Sequence, residues 1–142
     1  MKQGIDYIGI GVGALIVNEK KEVLLLHRPA TAKVEPNCWS KPGGSVEFGE
    51  TREKALRREI LEEIGCEMTS VRELRVYDHI LPDEKQHWLS IDYVATIKGT
   101  PTNLEPHKCD ELRWFSIDDL PEHCSKNMII DCVAAYKKFI DS

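Results

Sequence analysis

The sequence lacks what a membrane span, a zinc module or a disulfide framework would need. No apolar run approaches the roughly 20 residues that cross a bilayer. The cysteines are Cys38, Cys66, Cys109, Cys124 and Cys132. Their number is odd and no C-x-x-C occurs, so free thiols in a reducing cytoplasm are expected. The N-terminal MKQGIDYIGIGVG has no basic segment leading into a long apolar stretch and a cleavage site, so no secretory leader is read there. Positive charge is in deficit: 19 Lys and Arg stand against 24 Asp and Glu, a net charge of -5. Such a chain does not advertise the basic patch that binds duplex nucleic acid. A compact anionic substrate would need a cation to receive it.

Other chemistries are missing too. The histidines form no H-x3-H pair, and no G-x-S-x-G or Cys-His arrangement prepares covalent catalysis. The GIGVG run at 9–13 is followed by another strand and not by a helix, so it is no dinucleotide fingerprint. Close backbone packing is its expected role. No repeat, low-complexity tract or dividing linker interrupts the chain.

What remains is an ordinary globular composition, 42% apolar and 30% charged over 142 residues. That length suits a single domain, 1–142, around one core. Residues 8–17 read as a buried strand and 22–28 as a second. A polar turn between them predicts a hairpin. Residues 29–38 read as a loop, and 39–50 as a glycine-bent segment. Residues 68–79, 87–97 and 111–117 read as strands, and 126–140 as a closing helix. Trp88 and Trp114 are expected in the core. The order of elements predicts an α/β layered domain.

The helix after the glycines is the clearest element. Thr51 is a good N-cap, Leu56, Ile60 and Ile64 repeat at i, i+4, i+8, and Gly65 stands where the helix should stop. Its last two turns carry Glu59, Glu62 and Glu63 on one arc of about 100°. Like charges at that spacing repel, and carboxylates sit badly at the negative end of a helix dipole. A solvated acidic face is one reading. A hard-cation site is the other, since magnesium prefers oxygen ligands grouped on a rigid element.

The surrounding spacing decides between them. The segment GSVEFGETREKALRREILEEIGC places Gly44, Glu50, Arg58, Glu59, Glu62, Glu63 and Gly65 at fixed intervals. It resembles the Nudix box, G-x5-E-x7-R-E-U-x-E-E-x-G-U, where U is a bulky aliphatic. Ile60 fits the first U; Cys66 departs at the last, where a small hydrophobe is expected to change packing only.

The resemblance implies an α/β/α sandwich with a mixed sheet, and hydrolysis of a phosphoanhydride with Mg2+, for which Mn2+ can substitute. It implies Glu59 and Glu63 as main metal ligands, Glu62 as a direct or water-mediated one, and the Gly43 carbonyl as another. Arg58 would orient the carboxylates, and Glu50 would tie the loop to the helix. Glu63 or Glu62, and after them Glu111, would take the proton from water.

EVLLLHRP also fits the family, with Arg28 a candidate substrate contact. Lys41 stands in NCWSKPGG where an apolar residue is common; it either reaches a phosphate or faces solvent. EPHKCDELRWFSIDDLP is similar to the MutT-type nucleoside triphosphate branch. There a glutamate before the tryptophan strand joins the metal site or acts as base: Glu111 fits best, Glu105 second. Asn127 either contacts the base or caps a helix. The implied substrate is a nucleoside triphosphate, including oxidised or modified purine forms. ADP-ribose or a nucleotide sugar is the alternative within the family, and a non-catalytic nucleotide sensor the alternative outside it. A homodimer fits the same resemblance.

Overall fold

The computed structural model describes residues 1–141. The elements run β1 (Gly9–Ile16), β2 (Glu22–His27), β3 (Trp39–Ser40), β4 (Gly43–Ser45), α1 (Arg52–Ile64), β5 (Glu67–Leu81), β6 (Gln86–Lys98) and β7 (Glu111–Ser116). A π-helical turn (Lys126–Ile130) then leads into α2 (Asp131–Asp141). One sheet has the order β4-β1-β6-β5 and the other β3-β2-β7. The first is mixed, because β1 runs parallel to β6 and antiparallel to β4.

The two opening strands do not pair as the predicted hairpin. Both edges of β1 are taken, by β4 and β6, while β2 lies between β3 and β7. Only an isolated bridge, Val17 to Val23, joins the two at the turn. Asn18 still closes that turn, its Oδ1 accepting the N–H groups of Lys20 and Glu22 at 3.0 Å each. The strands then diverge because β1 is apolar on both faces and can be buried on both.

Strand alternation sorts the apolar side chains into two cores. Val12, Ala14 and Ile16 of β1 and Leu24 of β2 pack with Ala55, Leu56, Ile60 and Ile64 of α1. Leu15, Val23 and Leu25 pack instead with Trp39, Ile129, Cys132 and Val133, on the α2 side. The result is the predicted layered α/β/α arrangement. Each fully buried Leu or Ile contributes about 1.5–3 kcal/mol, so α1 is held by its apolar stripe.

The helix has its predicted caps. Thr51 Oγ1 accepts the N–H of Lys54 at 3.2 Å, and Gly65 closes it in the left-handed region at φ 69°. Two carbonyls left open at its C-terminal end are satisfied by a later loop: Leu104 N–H donates to Glu63 O and Thr102 N–H to Ile64 O, both at 3.0 Å. That docking brings residues 102–109 alongside the acidic end of α1.

The closing helix opens as a π turn rather than as regular α-helix. Ser125 is its N-cap, accepting the N–H of Met128 at 3.3 Å. The widened turn hands two backbone carbonyls to cations on the sheet: Met128 O accepts from Lys41 Nζ at 2.7 Å, and Asn127 O accepts from Arg75.

Candidate active site

Arg58 organises the acidic end of α1. Its guanidinium holds Glu50 through two bonds of 2.8 Å, Glu59 Oε1 at 2.9 Å and the Ser45 carbonyl at 3.2 Å. One planar fork therefore fastens the loop, β4 and the helix together. The pairing lowers the Glu50 carboxyl to a pKa of about 2, chiefly through the Arg58 hydrogen bonds. The same contacts raise the already basic Arg58 further.

Glu63 is the more buried carboxylate. Its Oε1 accepts the N–H of Gly43 at 3.1 Å. Burial pushes its pKa up to about 8; the Gly43 bond opposes this, and the charges of Glu59 and Glu105 add to it. Glu59 is raised as well, by burial first, against the pull of Arg58. Gly44 is required beside it, because a Cβ there would overlap the Glu59 carboxylate.

These groups wall a polar cavity of about 320 Å³ that also contains Arg28, Lys41, Glu105 and Lys108. Glu59, Glu63 and Glu105 thus gather around one space, from α1 and from the loop docked on its end. Among the described residues no three acidic, histidine or cysteine side chains are placed closely enough to hold a metal ion together. The donor set nonetheless suits a hard divalent cation: oxygen ligands only, two of them on a rigid helix, with the charges of Glu59 and Glu105 raising Glu63.

Glu62 is not among the residues lining the cavity; about half exposed, it lies 3.5 Å from Arg58. Glu111 is not brought in. Strand alternation turns its neighbour Leu112 to the cavity and Glu111 away, where it pairs with Arg113. Glu105, the second choice from sequence, occupies the place instead.

Lys41 neither faces solvent nor stands free. Its Nζ lies 2.9 Å from Asp92 Oδ1, with both side chains only 2% exposed. Burial lowers its pKa, but Asp92 outweighs this and the net shift is upward. The pair fits because Gly13, opposite Asp92 in the β1–β6 register, has no side chain; a Cβ there would sit 2.8 Å from Lys41 Cε. Asp92 also accepts from Arg75 Nε at 2.8 Å. Arg28 lines the cavity as expected, and donates to Val34 O at 3.2 Å.

A second cavity of about 310 Å³ adjoins the first, sharing Arg28, Lys41 and Gly43 to Ser45 as a common wall. It opens on the sheet face away from α1. Gly11 and Gly13 leave its floor low, and Tyr77, His79, Trp88, Asp92 and Met128 complete it. Asn127 is absent from its lining; the amide sits behind, 3.4 Å from His79 Nδ1. Nor does Asn127 cap the helix, which Ser125 does. Trp88 lines this cavity, whereas Trp114 packs against the first core.

Sequence reasoning missed Asp92, Tyr77 and His79. A signal for Asp92 was present: a lone carboxylate in the apolar strand SIDYVATI, on the face shared with Ser90. Nothing in the local pattern marks Tyr77 or His79.

Comparison with known proteins gives the family and the fold. Residues 8–132 match the family model described as NUDIX domain. An RNA pyrophosphohydrolase of Orientia tsutsugamushi (strain Boryong) is 28% identical over 126 residues, spanning 78% of this chain and 76% of that protein. An RNA pyrophosphohydrolase of Acinetobacter baylyi is 30% identical over 123 residues, spanning 74% and 71%. The crystal structure of a MutT NUDIX hydrolase from Burkholderia pseudomallei superimposes with a TM-score of 0.84 at 35% identity, covering 92% of this chain and 98% of that one.

Proposed function

The chain belongs to the Nudix hydrolase family, and from that premise we propose that it is a magnesium-dependent pyrophosphohydrolase of nucleoside triphosphates. The reaction is NTP plus water to NMP plus pyrophosphate. The observation that carries this reading is the convergence of Glu59, Glu63 and Glu105 on a cavity that also holds Arg28, Lys41 and Lys108. Carboxylates for a cation and cations for phosphate share one space, and an adjoining cavity is sized for a base.

Glu59, Glu63 and Glu105 would hold the divalent ion, with Glu62 and the Gly43 carbonyl as further ligands. Bound there, the ion supplies positive charge against the phosphate oxygens. The chain's own residues do the positioning, which is most of phosphoryl-transfer catalysis. Arg28 and Lys108 contact the phosphates. Arg58 keeps Glu59 in one rotamer by its 2.9 Å bond. Oε1 of Glu63 stays on the Gly43 N–H; the proton of the attacking water goes to Glu62, or to Glu63 where the other carboxylates hold the ion. Five free cysteines support the reducing cytoplasm as its compartment.

The test is a substrate panel with magnesium, read by product. Release of pyrophosphate from free nucleoside triphosphates is the expected result. Release of AMP from ADP-ribose, turnover of nucleotide sugars, or action only on 5′-triphosphorylated RNA would each replace it.

A further inference from the structure

The indole of Trp88 is fixed in place by glycines. The parallel register sets Gly9 beside Trp88 and Gly11 beside Ser90, on the sheet face that floors the second cavity. A Cβ on Gly9 would lie 2.5 Å from Trp88 Cε3 and Cζ3. One on Gly4 would lie 2.3 Å from Cε2 and 2.7 Å from Nε1. No side chain fits at either place, so bare backbone meets the indole along two opposite edges. Its one polar atom is engaged as well, since Nε1–H donates to Gln86 Oε1 at 2.9 Å. Gly11 lines the cavity, whereas Gly9 is buried and does not, because Trp88 stands over it. Trp88 is only half-buried and itself lines the cavity.

With both edges held and the N–H used, what Trp88 offers a ligand is the face of an aromatic ring. A ring already fixed in the free protein loses little rotamer freedom on binding. The cavity shares Arg28, Lys41 and Gly43 to Ser45 with the phosphate site, so the group that enters it is one joined to the phosphates. We propose that Trp88 is a specificity-determining residue, the platform on which the substrate's base stacks, favouring two-ring purines over one-ring pyrimidines. This rests on the nucleoside triphosphate reading above. Stacking requires no particular donor or acceptor, because every base has a π-face. The platform therefore discriminates by ring area and not by exocyclic groups. It also accounts for the first glycine of the GIGVG run, where any side chain would displace the indole.

The experiment measures kcat and KM for ATP, GTP, UTP and CTP with magnesium in the wild type, Trp88→Leu and Trp88→Phe. The wild type should show the lower KM for both purines. Trp88→Leu should raise the purine KM by about fivefold or more and the pyrimidine KM by less. The change should fall on KM far more than on kcat, because the base is remote from the reacting bond. Trp88→Phe loses the Gln86 bond but keeps a flat ring, and should retain most of the purine preference. A tryptophan that only packs would leave the purine-to-pyrimidine ratio of KM unchanged in Trp88→Leu. That result, or a wild-type purine KM no lower than the pyrimidine KM, would overturn the proposal.

Tryptophan fluorescence of the wild type gives a readout independent of turnover and of variant folding. Trp39 is 8% exposed and Trp114 packs against the first core, so a base in the cavity acts chiefly on Trp88 emission. GMP and AMP should quench more than UMP, and ribose 5-phosphate should not quench. Equal quenching by all four, or none by any, refutes the platform. If no triphosphate is hydrolysed but quenching follows ring size, the proposed reaction fails and the Trp88 contact stands.

Discussion

Arg58 grips Glu50 with two parallel hydrogen bonds, Nε to Oε2 and Nη2 to Oε1, each 2.8 Å long. The guanidinium so fixed keeps a third donor on Glu59. Its role is geometric: Glu50 clamps Arg58, and Arg58 clamps the carboxylate. Losing such a supporting partner typically costs 10–100-fold in metal affinity or activity. Arg58→Ala should lower kcat by about that factor with the circular dichroism spectrum retained. Arg58→Lys should rescue little, because an ammonium cannot reproduce the fork. Full rescue by lysine would show that charge alone matters.

The same pair predicts an acid limit. The Glu50 carboxyl is depressed from 4.5 to about 2 in the folded state. The stability it contributes is fully present above its unfolded value and is lost as pH falls from about 4.5 through 2. Thermal melts across that window should fall less steeply in Glu50→Gln than in the wild type. Parallel curves would show that the ion pair carries no folding linkage.

Glu105 and Glu111 separate two readings of one loop. Glu105 lines the acidic cavity and its charge acts on Glu63, whereas Glu111 pairs with Arg113 outside it. Glu105→Gln should lower kcat by about tenfold or more and weaken magnesium binding, as loss of a charge-neutralising ligand does. Glu111→Gln should stay within about twofold, since exposed ion pairs contribute little. The reverse ranking, by steady-state kinetics, would restore Glu111 to the metal site.

How much of this was legible depends on how local the cause was. α1 was readable because cap, stripe and stop all act within a few residues: Thr51, the Leu56–Ile60–Ile64 repeat, and Gly65. The box spacing pointed to Glu59 and Glu63 for the same reason. The β1–β2 hairpin failed because pairing is decided by partners far away; β1 takes β6, 79 residues on in register (Gly9 to Trp88), in preference to its neighbour. The solvent alternative for Lys41 failed because its partner Asp92 is distant in sequence, and only the parallel register over Gly13 joins them. Glu105 was ranked second because strand alternation at β7 could not be phased without the structure.

That buried pair makes its own prediction. Asp92 neutralises two cations, Lys41 at 2.9 Å and Arg75 at 2.8 Å. Removing one partner of a buried pair costs about 3–5 kcal/mol. Asp92→Asn strands both cations, while Lys41→Met leaves Asp92 still paired with Arg75. Urea denaturation should therefore find Asp92→Asn the more destabilised of the two, and near-equal midpoints would contradict the shared role.

Glu63 sets function against stability, and the sign can be worked out. Its pKa is raised from 4.5 to about 8, so the folded protein favours the protonated form more than the unfolded chain does. The contribution is fully present below pH 4.5 and is lost as pH rises through about 8. Each unit of such a shift corresponds to about 1.4 kcal/mol, so the metal-free protein should lose on the order of a few kcal/mol across that window. Glu63→Gln keeps an acceptor for the Gly43 N–H without a charge to bury. In chelator it should therefore melt higher than the wild type at pH 8, and equally or lower at pH 4. Added magnesium should raise the wild-type melting temperature at pH 8 and leave Glu63→Gln nearly unmoved, while turnover in that variant falls by orders of magnitude. If the variant is no more stable than the wild type in chelator at pH 8, the carboxylate is not strained in the folded state. The cation would then have no buried charge at Glu63 to relieve.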